Sequence, residues 1–180
     1  MRVFGIDPGS SRTGYGCVES NGSRHQIVTC GAIGTPATAA FADKLNHIHA
    51  RLTALLAECA PDCVAIENLF HAANVRSALK LGHARGVAML AAVQAGVAVV
   101  EYTPAEIKRA VVGYGRAEKA QVQQMMKLLL GLSAKPTPHD AADALAVAIC
   151  HIHSRVRPEV ATRQLSGSRA TSWRHYVPGR

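Results

Sequence analysis

The chain lacks the devices that staple, anchor or repeat small proteins. Its five cysteines, Cys17, Cys30, Cys59, Cys63 and Cys150, are odd in number and form no CxxC pair. That argues against a disulfide framework and a zinc ribbon, and leaves the cysteines as small buried hydrophobes. No apolar run approaches the ~20 residues of a membrane span, Met1 is followed by no basic-then-apolar leader, and no internal repeat is evident. A cytosolic protein is expected. Acids are also few: 12 Asp and Glu stand against 20 Lys and Arg, a formal net charge of +8. A polyanionic partner such as nucleic acid fits that balance, which does not itself decide function. With 180 residues, 48% of them hydrophobic, one domain with a substantial core is expected, and two large lobes are not.

What is present alternates. Arg2 to Asp7 reads as a buried strand, Pro8-Gly9-Ser10-Ser11 as a turn, and Thr13 to Glu19 as a second strand. Asn21-Gly22 is a hairpin signal, and Gln26 to Gly31 completes an antiparallel meander. From Phe41 to Ala60, Leu45, Ile48, Leu52, Leu55 and Leu56 recur on one helix face until Pro61. Cys63 to Ile66 and Val97 to Tyr102 read as strands separated by a helix over about 74–95, and Thr103-Pro104 starts another helix as N-cap and first position. A loop at 113–116, a helix over 119–130 and a last helix from His139 to about Val156 follow. Beyond it, Arg163, Arg169, Arg174 and Arg180 among Ser, Gly and Thr suggest a mobile basic tail. The expected division is a domain over 1–156 and a tail over 157–180.

Four carboxylates stand at the ends of these elements. Asp7 and Glu67 each close an apolar strand, and Asp140 and Asp143 open the last helix three residues apart, on one face near the positive end of its dipole. Functional side chains gather beyond the carboxyl ends of central strands in such sheets. Carboxylates brought together repel unless cations neutralise them, most simply divalent metal. Simpler roles exist for each: Thr137 to Asp140 resembles a capping box, Asp7 before Pro8-Gly9 a turn former, and Glu67 a solvated loop residue. Their coincidence at three separate element ends favours a common site.

Phe4-Gly5-Ile6-Asp7-Pro8-Gly9 with Thr13-Gly14-Tyr15-Gly16, Ala65-Ile66-Glu67-Asn68-Leu69-Phe70, Ser77-Ala78-Leu79-Lys80-Leu81-Gly82 with Ala84-Arg85-Gly86, Ala117-Glu118-Lys119-Ala120-Gln121-Val122 and Asp140-Ala141-Ala142-Asp143-Ala144-Leu145-Ala146 resemble, in order and spacing, the RuvC family of Holliday-junction resolvases. The likeness runs from Arg2 to about Arg155. It implies an α/β ribonuclease-H-like fold with a mixed five-stranded sheet, an antiparallel meander plus parallel strands, flanked by helices. The family's metal-binding acids map onto Asp7, Glu67, Asp140 and Asp143. Some members carry His where this chain has Asp140, which raises the question of His139. Asp140 is the expected ligand, because it shares a helix face with Asp143. The resemblance further implies two Mg²⁺ ions per site, with Mn²⁺ able to substitute, and paired nicks in four-way junctions that leave 5′-phosphate and 3′-hydroxyl ends.

Lys108 and Lys119 flank the glycine-containing loop, and the resemblance places them near the scissile phosphate. The plainer reading is a solvated basic face. Arg76 and Lys80 are carried as phosphate contacts on the helix after Glu67. Phe70 would stack on an unpaired base at the junction centre, against a plainer role as a hydrophobic staple. Ala78, Gly82 and Gly86 recur at four-residue steps, as at a close helix–helix approach. The resemblance assigns that helix to a homodimer interface, with core packing as the alternative, and implies collaboration with the RuvA and RuvB branch-migration proteins. Two other classes are weighed against a resolvase. A two-lobed actin-like ATPase needs more chain than this, and an architectural junction binder has no use for four acids.

Overall fold

The computed structural model describes residues 1–68 and 74–156; Phe70 and the segment 157–180 lie outside that set. Strands β1 (Arg2–Asp7), β2 (Arg12–Ser20) and β3 (His25–Gly34) form the antiparallel meander. Helix α1 (Phe41–Cys59) leads to β4 (Cys63–Glu67), α2 (Val75–Gln94) to β5 (Val99–Tyr102), and α3 (Pro104–Val112), α4 (Lys119–Leu129) and α5 (His139–Val156) follow. The sheet order is β3-β2-β1-β4-β5, with β4 parallel to both β1 and β5. This is the expected mixed five-stranded sheet.

Alternation along β1 and β4 divides the core into two layers. Phe4, Ile6, Val64 and Ile66 point to the α1 and α2 side, packing with Ile48, Leu52 and Leu56. Val3 and Ala65 point the other way, toward α3, α4 and α5, where Leu145 and Ile149 are fully buried. Each such large side chain contributes about 1.5–3 kcal/mol through burial. Gly5, Asp7 and Glu67 share this second face by the same period.

Element ends follow local chemistry. Helix α1 stops at Cys59, where Ala60 takes a left-handed conformation (φ 42°) before Pro61. Thr103 and Glu106 form a capping box at α3, with Pro104 at its first turn. Strand β3 runs three residues past the expected Gly31, because its pairing with β2 continues to Arg12 opposite Gly34. Strand β5 starts two residues later than expected. The Val97 amide donates instead to Ala92 O as the end of α2 unwinds. Four of the five cysteines are buried, Cys30 is half-buried, and all are free thiols. No helix among the described residues is long and apolar enough to cross a membrane.

Candidate active site

Backbone register brings the acids together. Ile6 lies opposite Ile66 across the parallel β1–β4 pair, so the next residues, Asp7 and Glu67, emerge side by side on the α5 face. On the other flank Asp7 lies opposite Gly14, and Gly5 opposite Gly16. These glycines are the seat of α5. A Cβ at Gly14 would collide with Asp140 O, and one at Gly5 with Ala144 O, while one at Gly16 would stand 2.7 Å from the Leu145 side chain. The helix therefore lies directly on the sheet, with Asp140 and Asp143 in its first turns held over the strand ends.

The cluster carries the electrostatic signature of crowded carboxylates. Burial first, and then the charges of Glu67, Asp143 and Asp140, push Asp7 up to about 8. Burial and Asp143 also raise Glu67, while hydrogen bonding from Asp7 and the charges of Lys119 and Lys108 draw it back. The crowding thus favours the neutral form of Asp7. Lys119 Nζ donates to Asp143 Oδ2 at 2.6 Å, a bond that raises the lysine. Arg12 Nη1 stands 3.5 Å from Asp140 Oδ2. The first turn of α5 is closed by the Ala141 and Ala142 amides donating to Pro138 O, and the Asp140 carboxylate faces Arg12 rather than capping the helix.

Lys108 joins Glu67, Lys119 and Asp143 around a cavity of about 210 Å³, floored by Ile107, Val122 and Ala146. Lys119 thus pairs with an acid, and Lys108 lines the same cavity. Arg76 and Lys80 lie exposed on α2, and Lys80 Nζ sits 5.9 Å from the centroid of the Phe41 ring. No contact joins either residue to the acid cluster. His139 is turned to α4, where its Nδ1 meets Gln123 Nε2 at 2.6 Å.

Three contributions escaped sequence reasoning. Arg12 lies between the turn and the strand read from the sequence, and the structure makes it the first residue of β2. Asn68 anchors the residue after Glu67 twice: its amide donates to Tyr102 O at 2.8 Å and its Nδ2 to Glu101 Oε2 at 3.2 Å. Glu101 also pairs with Arg85 of α2. Only the glycine seat left a readable signal, since Gly14 and Gly16 alternate on one strand face.

Among the described residues no three His, Cys, Asp or Glu groups stand close enough to grip one ion outright. The donor chemistry nevertheless fits hard divalent cations. Lys119 and Arg12 stand against two of the acids, and the upward push on Asp7 reflects negative charge that such ions would neutralise.

Carboxylates at the ends of two neighbouring parallel strands and in the first turns of a helix seated on a mixed five-stranded sheet define a ribonuclease-H-like nuclease domain. The family model "Crossover junction endodeoxyribonuclease RuvC" matches residues 3–151, and the chain belongs to the RuvC family. A relative from Trichlorobacter lovleyi, named crossover junction endodeoxyribonuclease RuvC, is 52% identical over 179 residues, 99% of this chain and 100% of its own. One of the same name from Syntrophotalea carbinolica is 56% identical over 153 residues, 85% of this chain and 94% of its own. Among solved structures, Thermus thermophilus RuvC in complex with Holliday junction substrate superposes with a TM-score of 0.83 at 35% identity, covering 86% of this chain and 94% of that one. Membership implies the use of divalent metal.

Proposed function

We infer that this protein is a structure-selective DNA endonuclease that resolves four-way Holliday junctions in recombination and repair. It makes paired symmetric nicks leaving 5′-phosphate and 3′-hydroxyl ends. The observation that carries this reading is the convergence of Asp7, Glu67, Asp140 and Asp143, intact, beside Lys108 and Lys119 in a chain of this family. Those acids would hold two Mg²⁺ ions, or Mn²⁺ in their place. The chemistry supplied by bound metal is activation of a water nucleophile and neutralisation of the leaving 3′ oxygen. Lys108 and Lys119 bring positive charge to the scissile phosphate, which would otherwise meet a wall of carboxylates. Arg76, Lys80 and Phe70 are assigned to DNA farther from the chemistry: two phosphate contacts, and a base-stacking aromatic at the crossover.

The active unit is a homodimer formed through α2, so that two sites face symmetry-related strands. An open apolar groove between α1 and α2, lined by Leu45, Leu79, Gly82, Gly86 and Leu90, supports that surface. Among the described residues a Cβ on Gly82 or Gly86 would meet nothing within 4 Å, which supports a close approach by a second copy of this helix. The nuclease domain is assigned to residues 1–156, with 157–180 as a basic tail. The protein works in the cytoplasm alongside RuvA and RuvB.

The test is cleavage of a synthetic four-way junction against linear duplex of the same sequence, with and without Mg²⁺, with product ends mapped. Metal-dependent, symmetric nicks confined to the junction are expected. Equal cutting of linear duplex, or cutting in EDTA, would overturn the reading.

A further inference from the structure

Two exposed cations flank the acid cluster, one on each acid of α5. Lys119 covers Asp143 and Arg12 covers Asp140, with side chains 61% and 59% exposed. An ion pair that exposed is worth little to folding, so the Arg12 contact needs another explanation. Its setting is unusual for a surface arginine, because the backbone beneath it is held from both sides. The Thr13 hydroxyl, on a fully buried residue, donates to Gly9 O at 2.8 Å and accepts from the Gly9 amide at 3.4 Å. Just past the end of β3, the Thr35 amide donates to Ser11 O at 3.0 Å, and its hydroxyl lies 3.2 Å from both Ser10 O and Ser11 O. Arg12 then pairs with Gly34 as the first residue of β2. A fixed backbone carrying an exposed, charged tip at the rim of a site is the arrangement of a ligand-contacting residue.

We propose that Arg12 is a phosphate-binding residue of the nuclease site, which masks Asp140 in the metal-free protein and transfers to a backbone phosphate of the cleaved strand once the acids are occupied. The inference rests on the junction-nuclease reading. Its chemistry follows from the guanidinium, whose planar fork fits carboxylate and phosphate oxygens equally, so exchange between them needs little rearrangement. Lys119 serves the Asp143 side. Arg12 gives the Asp140 side a cation that no residue of α3 or α4 supplies among the contacts of Asp140.

The test uses Arg12→Gln and Arg12→Lys in the full chain. Calorimetric titration of the metal-free protein with Mn²⁺, without DNA, should show Arg12→Gln binding about threefold more tightly, because the competing cation is gone. Binding of a four-way junction, with Ca²⁺ in place of the cleavage-supporting metal and KCl varied, should show a log–log slope shallower by roughly 1 in Arg12→Gln and restored in Arg12→Lys. Melting curves should be unchanged in both. Unaltered Mn²⁺ affinity would overturn the masking role, and an unaltered salt slope the phosphate contact. If wild-type protein itself shows no preference for the junction over duplex, the junction-nuclease reading fails and not Arg12 alone.

Discussion

Asp7 sits where desolvation and three like charges act on one carboxyl, and its proton has consequences that can be measured. An acid whose folded value, about 8, exceeds its unfolded value of 3.8 binds more protons in the native state across that interval. Its contribution to stability therefore falls as pH rises from about 4 to 8 and levels off beyond. Metal-free Asp7→Asn should accordingly be more stable than wild type at pH 8, by about 1–2 kcal/mol, with the gap closing toward pH 4. Paired thermal melts in EDTA check this; a variant less stable than wild type at pH 8 would show that Asp7 supports the fold. Cleavage by the same variant should drop by roughly 10² or more, because a ligand charge is lost. Binding of metal must expel the Asp7 proton, so Mn²⁺ affinity should rise with pH up to about 8, with proton release visible as a buffer-dependent enthalpy. Lys119 is expected to behave differently. Its pair with Asp143 is too exposed to matter to stability, so Lys119→Ala should melt normally while junction cleavage collapses.

At the scale of elements, the site depends on how closely α5 approaches the sheet. Gly14 lies under the backbone of Asp140, and no side-chain movement can make room for a methyl group there. Gly14→Ala should cost about 1–3 kcal/mol in urea unfolding through overpacking. It should also reduce cleavage under conditions where the protein remains folded, since Asp140 is lifted from Asp7. Full activity with normal stability would mean that the helix shifts without consequence. The β4 end is held by the Asn68–Glu101–Arg85 chain, which links it to α2. Glu101→Ala would leave the Arg85 guanidinium, whose Nε is already buried without a partner among the described residues, without its Glu101 counter-charge. It should lower both stability and cleavage, separating it from Lys119→Ala, which affects cleavage alone.

For the whole molecule, the proposed pairing through α2 can be tested at its glycines and exposed leucine. Interior helical glycine costs about 1 kcal/mol relative to alanine, and among the described residues Gly82 has no packing to offset that. Gly82→Ala should therefore stabilise a monomeric form while weakening the dimer, a combination visible as a higher melting temperature at low concentration with a weaker dimer constant in sedimentation. Leu79, 60% exposed in the single chain, should when replaced by Asp give monomers that bind junctions yet fail to make coordinated nicks. A dimer that survives both changes would place the interface elsewhere.

Much was legible before any coordinates. Strand and helix order followed from apolar period, the helix start at Thr103 and Pro104 from local chemistry, and the acids from their positions at element ends. These signals are local or carried by motifs, so they survive in one dimension. Boundaries such as the extension of β3 to Gly34 were not, because pairing with a neighbouring strand, rather than the segment's own composition, decides them. The same division holds at the site. The sequence by itself determined which carboxylates were available and that Lys108 and Lys119 lay near a loop. Tertiary structure alone decided that Asp7 stands beside Glu67 by strand register, that Gly5 and Gly14 admit α5 to the sheet, and that Arg12 reaches Asp140 from a strand end 128 residues away in the chain. Those facts depend on which residues meet across elements, and the energies that set the proton on Asp7 arise from burial and from charges distant in sequence.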